Sequence, residues 1–199
     1  MRFDWVKRAR KYFWLGLLLA IPIIVRPQGG IVTDHVALTD RSHVEGLTYS
    51  NATLGFTYQL PQGFFVNPLP DNLPHGSLLL MIADKHNGTP WRDRVTLVAD
   101  DTRKYSWNTS EYVTHFIGSP PKMHVVVRRN AYRFDIAGQE FVRADLQKLD
   151  GGKTIYEVFV CTRLKGSFVS WMFGSLDEKR VKQLAKSINT FAPASAKTR

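Results

Sequence analysis

Trp91-Arg92-Asp93-Arg94 packs more recognition chemistry into fewer residues than any other stretch of this chain. An indole has a large apolar face and a polar tip. Set between arginines, it offers an amphipathic contact to a partner protein, a small ligand or lipid headgroups. The run follows the turn-forming loop His86-Asn87-Gly88-Thr89-Pro90 and precedes the apolar segment Val95 to Ala99, which places Trp91, Arg92 and Arg94 at a loop rim. A plainer role competes with this one, in which Trp91 closes the edge of the core. Phe64-Phe65, just after a turn, are a second aromatic candidate.

Catalytic chemistry leaves weaker traces. Acyl transfer needs a Ser or Cys nucleophile beside a base, often announced by G-x-S-x-G, and that motif does not occur. His75-Gly76-Ser77 comes nearest, but adjacency in sequence does not set an imidazole on its neighbour's hydroxyl. H-E-x-x-H, C-x-x-C, calcium-loop and phosphate-loop patterns are missing too. His35, Asp40 and His43 are metal-ligand types in one short stretch, yet a solvated tether accounts for them better. Asp100-Asp101 is an acidic pair at a strand end, where a solvated turn is expected. The single cysteine, Cys161, sits in the apolar run Val158-Phe159-Val160-Cys161; it can form no intramolecular disulfide and is expected in the core. Trp107 and Trp171 are expected in core packing as well. No catalytic, cofactor or metal residue is therefore assigned, and the candidate surface is Trp91, Arg92 and Arg94.

The elements that must carry this surface follow from periodicity. Leu54, Phe56, Tyr58 and Leu60 alternate with Gly55, Thr57 and Gln59, which predicts a half-buried strand ended by Pro61 and Gly63. Leu78 to Ala83 and Val95 to Ala99 predict neighbouring strands. Asn108-Thr109-Ser110-Glu111 has the form of a capping box, and Tyr112, Val113, Phe116 and Ile117 form one apolar stripe of the helix behind it. Gly118 and Pro120-Pro121 end that helix. Strand character returns at Val125 to Val127, Tyr132 to Ile136, Phe141 to Leu149, Thr154 to Leu164 and Phe168 to Phe173. Asp150-Gly151-Gly152 and Lys165-Gly166 predict hairpin turns, and connections this short force antiparallel pairing. Ser175-Leu176-Asp177-Glu178 predicts a second capping box, before a helix that buries Val181, Leu184, Ala185, Ile188 and Phe191. The fold class is α+β, a curved antiparallel sheet flanked by helices, with no internal repeat.

An export signal precedes this domain. Arg2, Lys7, Arg8, Arg10 and Lys11 run into the apolar block Tyr12 to Val25, 14 residues long. Its length is nearer the ~7–15 of a signal-peptide core than the roughly 20 of a membrane span. Leu18 and Ala20 make a poor cleavage site, however, and Phe3, Trp5 and Val6 lengthen the apolar stretch. A signal peptide and an uncleaved signal anchor both remain open. Residues 12–25 are the expected membrane contact, and the rest of the chain is expected in the bacterial cell envelope. Residues 26–45 read as a linker, 46–193 as one domain and 194–199 as a polar tail.

The net charge is +10, but the first 26 residues hold six basic side chains against Asp4. The remaining excess is modest and includes no basic run interleaved with aromatics, so nucleic acid is not an expected partner. Mild affinity for an anionic membrane surface is.

Asn51, Gly55, Phe56, Tyr58, Pro61, Gly63 and Phe64 follow the order N-x-x-x-G-F-x-Y-x-x-P-x-G-aromatic, and this run resembles the opening strand and turn of the PsbP-like superfamily. The second half is similar too: Gly138 before a long strand, a hairpin into another, a third strand leading to a capped helix, and a closing Ser187-x-x-x-Phe191-x-Pro193. The resemblance covers residues 46–193 and implies an α/β/α sandwich of PsbP-like type. It also implies a non-enzymatic role, since members are mostly exported bacterial proteins and extrinsic photosystem subunits. Nothing in the sequence singles out a photosystem role, and the export signal departs from thylakoid transit peptides. The expectation is a binding or assembly domain without a cofactor, whose partner is an envelope protein or small ligand. The alternative is an envelope hydrolase whose active site is assembled from scattered residues.

Overall fold

A computed structural model describes residues 42–69, 77–86, 88, 91–102, 105–118 and 125–194. The strands are β1 (Ser42–Glu45), β2 (Thr48–Asn51), β3 (Phe56–Gln59), β4 (Phe65–Val66), β5 (Ser77–His86), β6 (Arg92–Asp101), β7 (Val125–Ile136), β8 (Gln139–Asp150), β9 (Lys153–Leu164), β10 (Ser167–Ser175) and β11 (Ala192–Pro193). Helix α1 (Thr109–Gly118) lies between β6 and β7. Helix α2 (Glu178–Ala185) follows β10 and tightens into a 3-10 turn, Lys186–Thr190.

All pairings among these strands are antiparallel. The large sheet has the order β4-β5-β6-β10-β9-β8-β7, and β1-β2-β3-β11 form a second, smaller sheet. The long hairpins turn where glycine frees the backbone: Gly151 and Gly152 have φ of +54° and +75°, which side chains with a Cβ resist. One face of the large sheet supplies Leu97, Phe141, Val158, Val160, Trp171 and Phe173 to a core closed by the small sheet and α2. Rings interlock there, with Phe56 5.5 Å from Trp171 and Phe191 5.0 Å from Phe141. The opposite face packs Val142, Ala144, Phe159, Cys161 and Phe168 under Tyr112, Val113 and Ile117 of α1. Helix, sheet and helix are thus layered as expected, with the small sheet added beside α2.

The first capping box forms as expected: the Glu111 amide donates to Asn108 Oδ1 at 3.0 Å and the Asn108 amide to Glu111 Oε2 at 2.8 Å. The second is shifted. Asp177 caps α2 by accepting from the Arg180 amide, because the hydroxyl of Ser175 is committed to Asp93 at 2.8 Å. Residues 42–45, placed in the linker by the sequence, form β1 instead. A segment with one aliphatic residue carries little strand signal of its own. Its order comes from the partner strand, where Asn51 Nδ2 donates to Ser42 Oγ and Tyr49 OH lies 3.0 Å from the same oxygen. Val125 to Val127 and Tyr132 to Ile136 are one strand, β7, whose register shifts twice along β8. Among the described residues no helix is long and apolar enough to cross a membrane. Residues 1–25, with the proposed signal or anchor, lie outside the described residues.

Candidate binding surface

The β5–β6 hairpin decides how the candidate arginines sit. Asp84 pairs with Arg94, Lys85 with Asp93 and His86 with Arg92. Side chains alternate along a strand, so Asp84, His86, Arg92 and Arg94 share one face while Asp93 takes the other. The Asp84 side chain is 2 % exposed, and a carboxylate this buried must be met by donors. Arg94 meets it bidentately, Nε donating to Oδ1 at 2.7 Å and Nη2 to Oδ2 at 2.9 Å. Arg92 approaches the same carboxylate, but its Nη1 stays 3.6 Å from Oδ2 and its side chain is 40 % exposed. Two guanidiniums around one carboxylate leave a positive charge in surplus, and Arg92 carries it at the surface.

Aromatic rings frame that charge. Phe65, on β4 opposite Asp84, is exposed and stacks on the imidazole of His86 at 5.6 Å. The Arg92 guanidinium lies 5.9 Å from the same ring, within cation–π range. Of the pair Phe64-Phe65, Phe64 is buried in the core and Phe65 faces outward. Trp91 is half-buried and has the Lys153 ammonium 5.6 Å from its ring, at the start of β9. The structure therefore gathers Arg92, Arg94 and Phe65, adds Asp84 and His86, and sets Trp91 beside Lys153. The sequence signal for the added pair was the hairpin itself: residues 84 and 94, and 86 and 92, are equidistant from residue 89.

The other candidates take structural roles. Asp93 points to the core side, accepting from Ser175 and from Arg180 Nε at 2.6 Å, and so ties β6 to α2. Asp100 is buried rather than solvated. Tyr112 of α1 donates to its Oδ2 at 2.5 Å, so the carboxylate anchors the helix on the sheet, and burial pushes the Tyr112 phenol well up. Cys161 is fully buried, and desolvation raises its thiol to about 12, away from nucleophile chemistry. Trp171 fills the core. Trp107 is only partly buried, stacked between Tyr105 at 4.8 Å and His115 at 4.2 Å. His43 is an exposed residue of β1, Ser77 opens β5, and His35, Asp40 and His75 lie outside the described residues. Among the described residues no three His, Cys, Asp or Glu side chains gather as a metal site.

No family model matches the sequence, and no curated protein does. Solved structures do match. Cyanobacterial PsbP from Synechocystis sp. PCC 6803 superposes with a TM-score of 0.55 over 84% of this chain and 98% of its own, at 13% identity. The fold is PsbP-like. LpqN of Mycobacterium tuberculosis, described as involved in cell envelope biogenesis, aligns at TM-score 0.46 and 12% identity over 69% of this chain and 83% of its own. A Pseudomonas aeruginosa protein of unknown function, PA94, aligns at 0.45 and 14% over 65% and 96%.

Within the PsbP-like fold, the residues that carried the sequence resemblance prove to be braces. Asn51 Oδ1 accepts from the Leu54 amide, and the Gly55 amide donates to the Asn51 carbonyl, both at 2.8 Å, around a Gly55 φ of +73°. Tyr58 OH lies 2.7 Å from Ser187 Oγ, Phe56 stacks on Phe191 at 5.7 Å, and Ala192-Pro193 pair with Phe56 and Thr57. The opening and closing motifs of the PsbP-like pattern are thus two halves of one clasp.

Proposed function

We propose that this protein is a non-enzymatic, exported binding module that takes hold of an envelope protein or small ligand through the surface of Trp91, Arg92 and Arg94. One observation carries the reading: a buried carboxylate, Asp84, holds Arg94 rigid and leaves Arg92 charged and exposed beside the ring of Phe65. Donors fixed in this way lose little entropy on binding, and an Arg next to an aromatic ring is a common anchor of interfaces. The thiol of Cys161 and the carboxylate of Asp100 are both spent on packing, which also favours binding over nucleophilic chemistry. Export rests on the basic-then-apolar order of residues 2–25. Membrane retention, if that segment is uncleaved, would keep the module at the envelope surface.

In-cell crosslinking of the full chain, followed by mass spectrometry of the captured material, tests this. Loss of the dominant partner from the Trp91→Ala, Arg92→Ala double variant, with the fold intact by circular dichroism, is the expected result. Undiminished capture would remove this surface from the function. An intact Met1 in the same sample establishes the anchor, and a trimmed N-terminus the cleaved signal.

A further inference from the structure

The large sheet ends on one side in β4, two residues long, and on the other in β7, 12 residues long. Among the described residues β7 pairs with β8 alone, so the backbone N–H and C=O groups on its outer side have no strand to meet. An edge of this length is a template for an added strand unless something blunts it. The first half of β7 is blunted: its register along β8 shifts on both sides of Arg129, and each bulge bends the strand. The second half is not. Tyr132 to Ile136 stay in step with Arg143 to Gln139, contain no proline, and are held in place by Phe134 and Ile136, which pack on the main core.

The bulged half supplies the charge. Every residue from Val126 to Asn130 is exposed. Arg94, Arg143 and Arg180 are spent on Asp84, Asp145 and Asp93, and Arg133 lies 3.5 Å from Glu140. Arg128 and Arg129 have no such carboxylate among the described residues. The Arg129 guanidinium lies 3.8 Å from the ring of Tyr132, a cation–π contact that orients it and leaves its rim of N–H donors for a ligand. Arg128 acts on Glu178 of α2 only at a distance, because that carboxylate is bonded to Lys182 at 2.6 Å. In all, β7 carries three arginines against one acid, Asp135. A second copy laid along this edge would bring two strands of like charge together, which destabilises a pair. An acidic strand meets the opposite condition.

We infer that β7 binds an extended acidic peptide of a partner protein by strand addition, its backbone pairing along Tyr132 to Ile136 and its carboxylates reaching Arg128 and Arg129. Main-chain bonds supply the affinity in this mode, and flanking side chains the choice of sequence. The site goes beyond the surface of Trp91, Arg92 and Arg94: β10, β9 and β8 lie between β6 and β7, which sets the two strands roughly 19 Å apart.

Fluorescence anisotropy of the labelled peptide Thr-Val-Thr-Val-Thr-Glu-Glu with the full chain in non-ionic detergent tests the assignment, together with hydrogen exchange read by mass spectrometry. The peptide should bind, and amides within residues 132–136 that exchange quickly in the free chain should slow when it does. The Arg128→Gln, Arg129→Gln double variant should weaken binding by about threefold to tenfold, the scale of two exposed ion pairs, and Lys186→Gln at the exposed end of α2 should leave it unchanged. Two altered peptides probe the mode: Lys-Lys in place of Glu-Glu reverses the charge, and proline in place of the second Val removes a backbone donor. Both should bind more weakly. Equal binding of either, or no binding of the parent peptide, overturns the assignment. Weakening by Arg92→Gln but not by the β7 double variant overturns it too, and leaves the Arg92 surface standing. Uniformly slow exchange over residues 132–136 in the free chain would mean that the edge is already covered, by a second copy if protection rises with protein concentration and by the chain's own residues if it does not; either result overturns the assignment.

Discussion

Removing the carboxylate of Asp84 separates the two arginines by energy, and the structure sets the size of each effect. Asp84→Asn keeps the shape and erases the charge. The two short bonds from Arg94 are charge-assisted contacts to a group 2 % exposed, and the Arg94 side chain is itself 24 % exposed. Breaking a fully buried pair costs ~3–5 kcal/mol, but Arg94 can turn toward water, so about 2–3 kcal/mol is expected. Arg92, at 3.6 Å and 40 % exposed, is a surface partner worth at most ~1 kcal/mol. A double-mutant cycle resolves the two: Asp84→Asn with Arg94→Gln should show coupling of about 1.5 kcal/mol or more, and Asp84→Asn with Arg92→Gln less than ~1 kcal/mol. Urea unfolding followed by tryptophan fluorescence is a suitable assay, because Trp171 is fully buried and reports loss of the core. At ~1 M salt the screening length falls to about 3 Å, so the Arg92 coupling should vanish and most of the Arg94 coupling persist. Equal couplings, or an Arg92 term that survives salt, would refute the picture of one structural arginine and one available arginine.

Two further outcomes follow from local geometry. Gly174→Ala, near the end of β10, should leave stability unchanged or raise it by up to ~1 kcal/mol, since apart from its chain neighbours no atom of the described residues lies within 4 Å of the added Cβ. Gly55→Ala should cost ~1–2 kcal/mol through its φ of +73°, while the Lys165 ammonium near that position can swing aside; chemical denaturation of both variants checks the contrast. For Cys161 the folded thiol is raised from 9.0 to about 12, so the folded state favours the neutral form. That contribution is complete below pH 9 and is lost as pH climbs toward 12, by ~1.4 kcal/mol per unit. Between pH 9 and 10.5 the wild-type chain should therefore lose about 2 kcal/mol more than Cys161→Ala, and urea midpoints at the two pH values measure it.

The sequence discloses best those features whose cause is local. Gly151-Gly152 and Lys165-Gly166 set their turns through the positive φ of their own residues, and Asn108 and Glu111 cap α1 across one turn. The alternation of Leu54, Phe56, Tyr58 and Leu60 marks its buried face correctly, since all four are core residues. Features that depend on a remote partner are hidden. Ser42 to Glu45 are a strand because of Tyr49 and Asn51, and Asp100 is buried because Tyr112 comes down on it from α1. Asp84 stands at the end of an apolar run and looks like a strand terminus until the register sets it opposite Arg94. The arginines of the candidate surface could thus be read from composition; the carboxylate that divides their labour could not.

The clasp between the first and last parts of the domain also constrains when this chain can fold. Tyr58 and Ser187 are 129 residues apart yet share a hydrogen bond, and the Ala194 amide donates to the Gly55 carbonyl at 2.8 Å. The small sheet is incomplete until β11 arrives, and the core around Trp171 lacks Phe191 until the same moment. Contacts so distant in sequence form late and slowly. A chain that has emerged only as far as β10 therefore lacks the ring of Phe191 against Trp171 and the pairing of β11 with β3. Under the proposed export of the chain in unfolded form, the clasp can close only once β11 has reached β3.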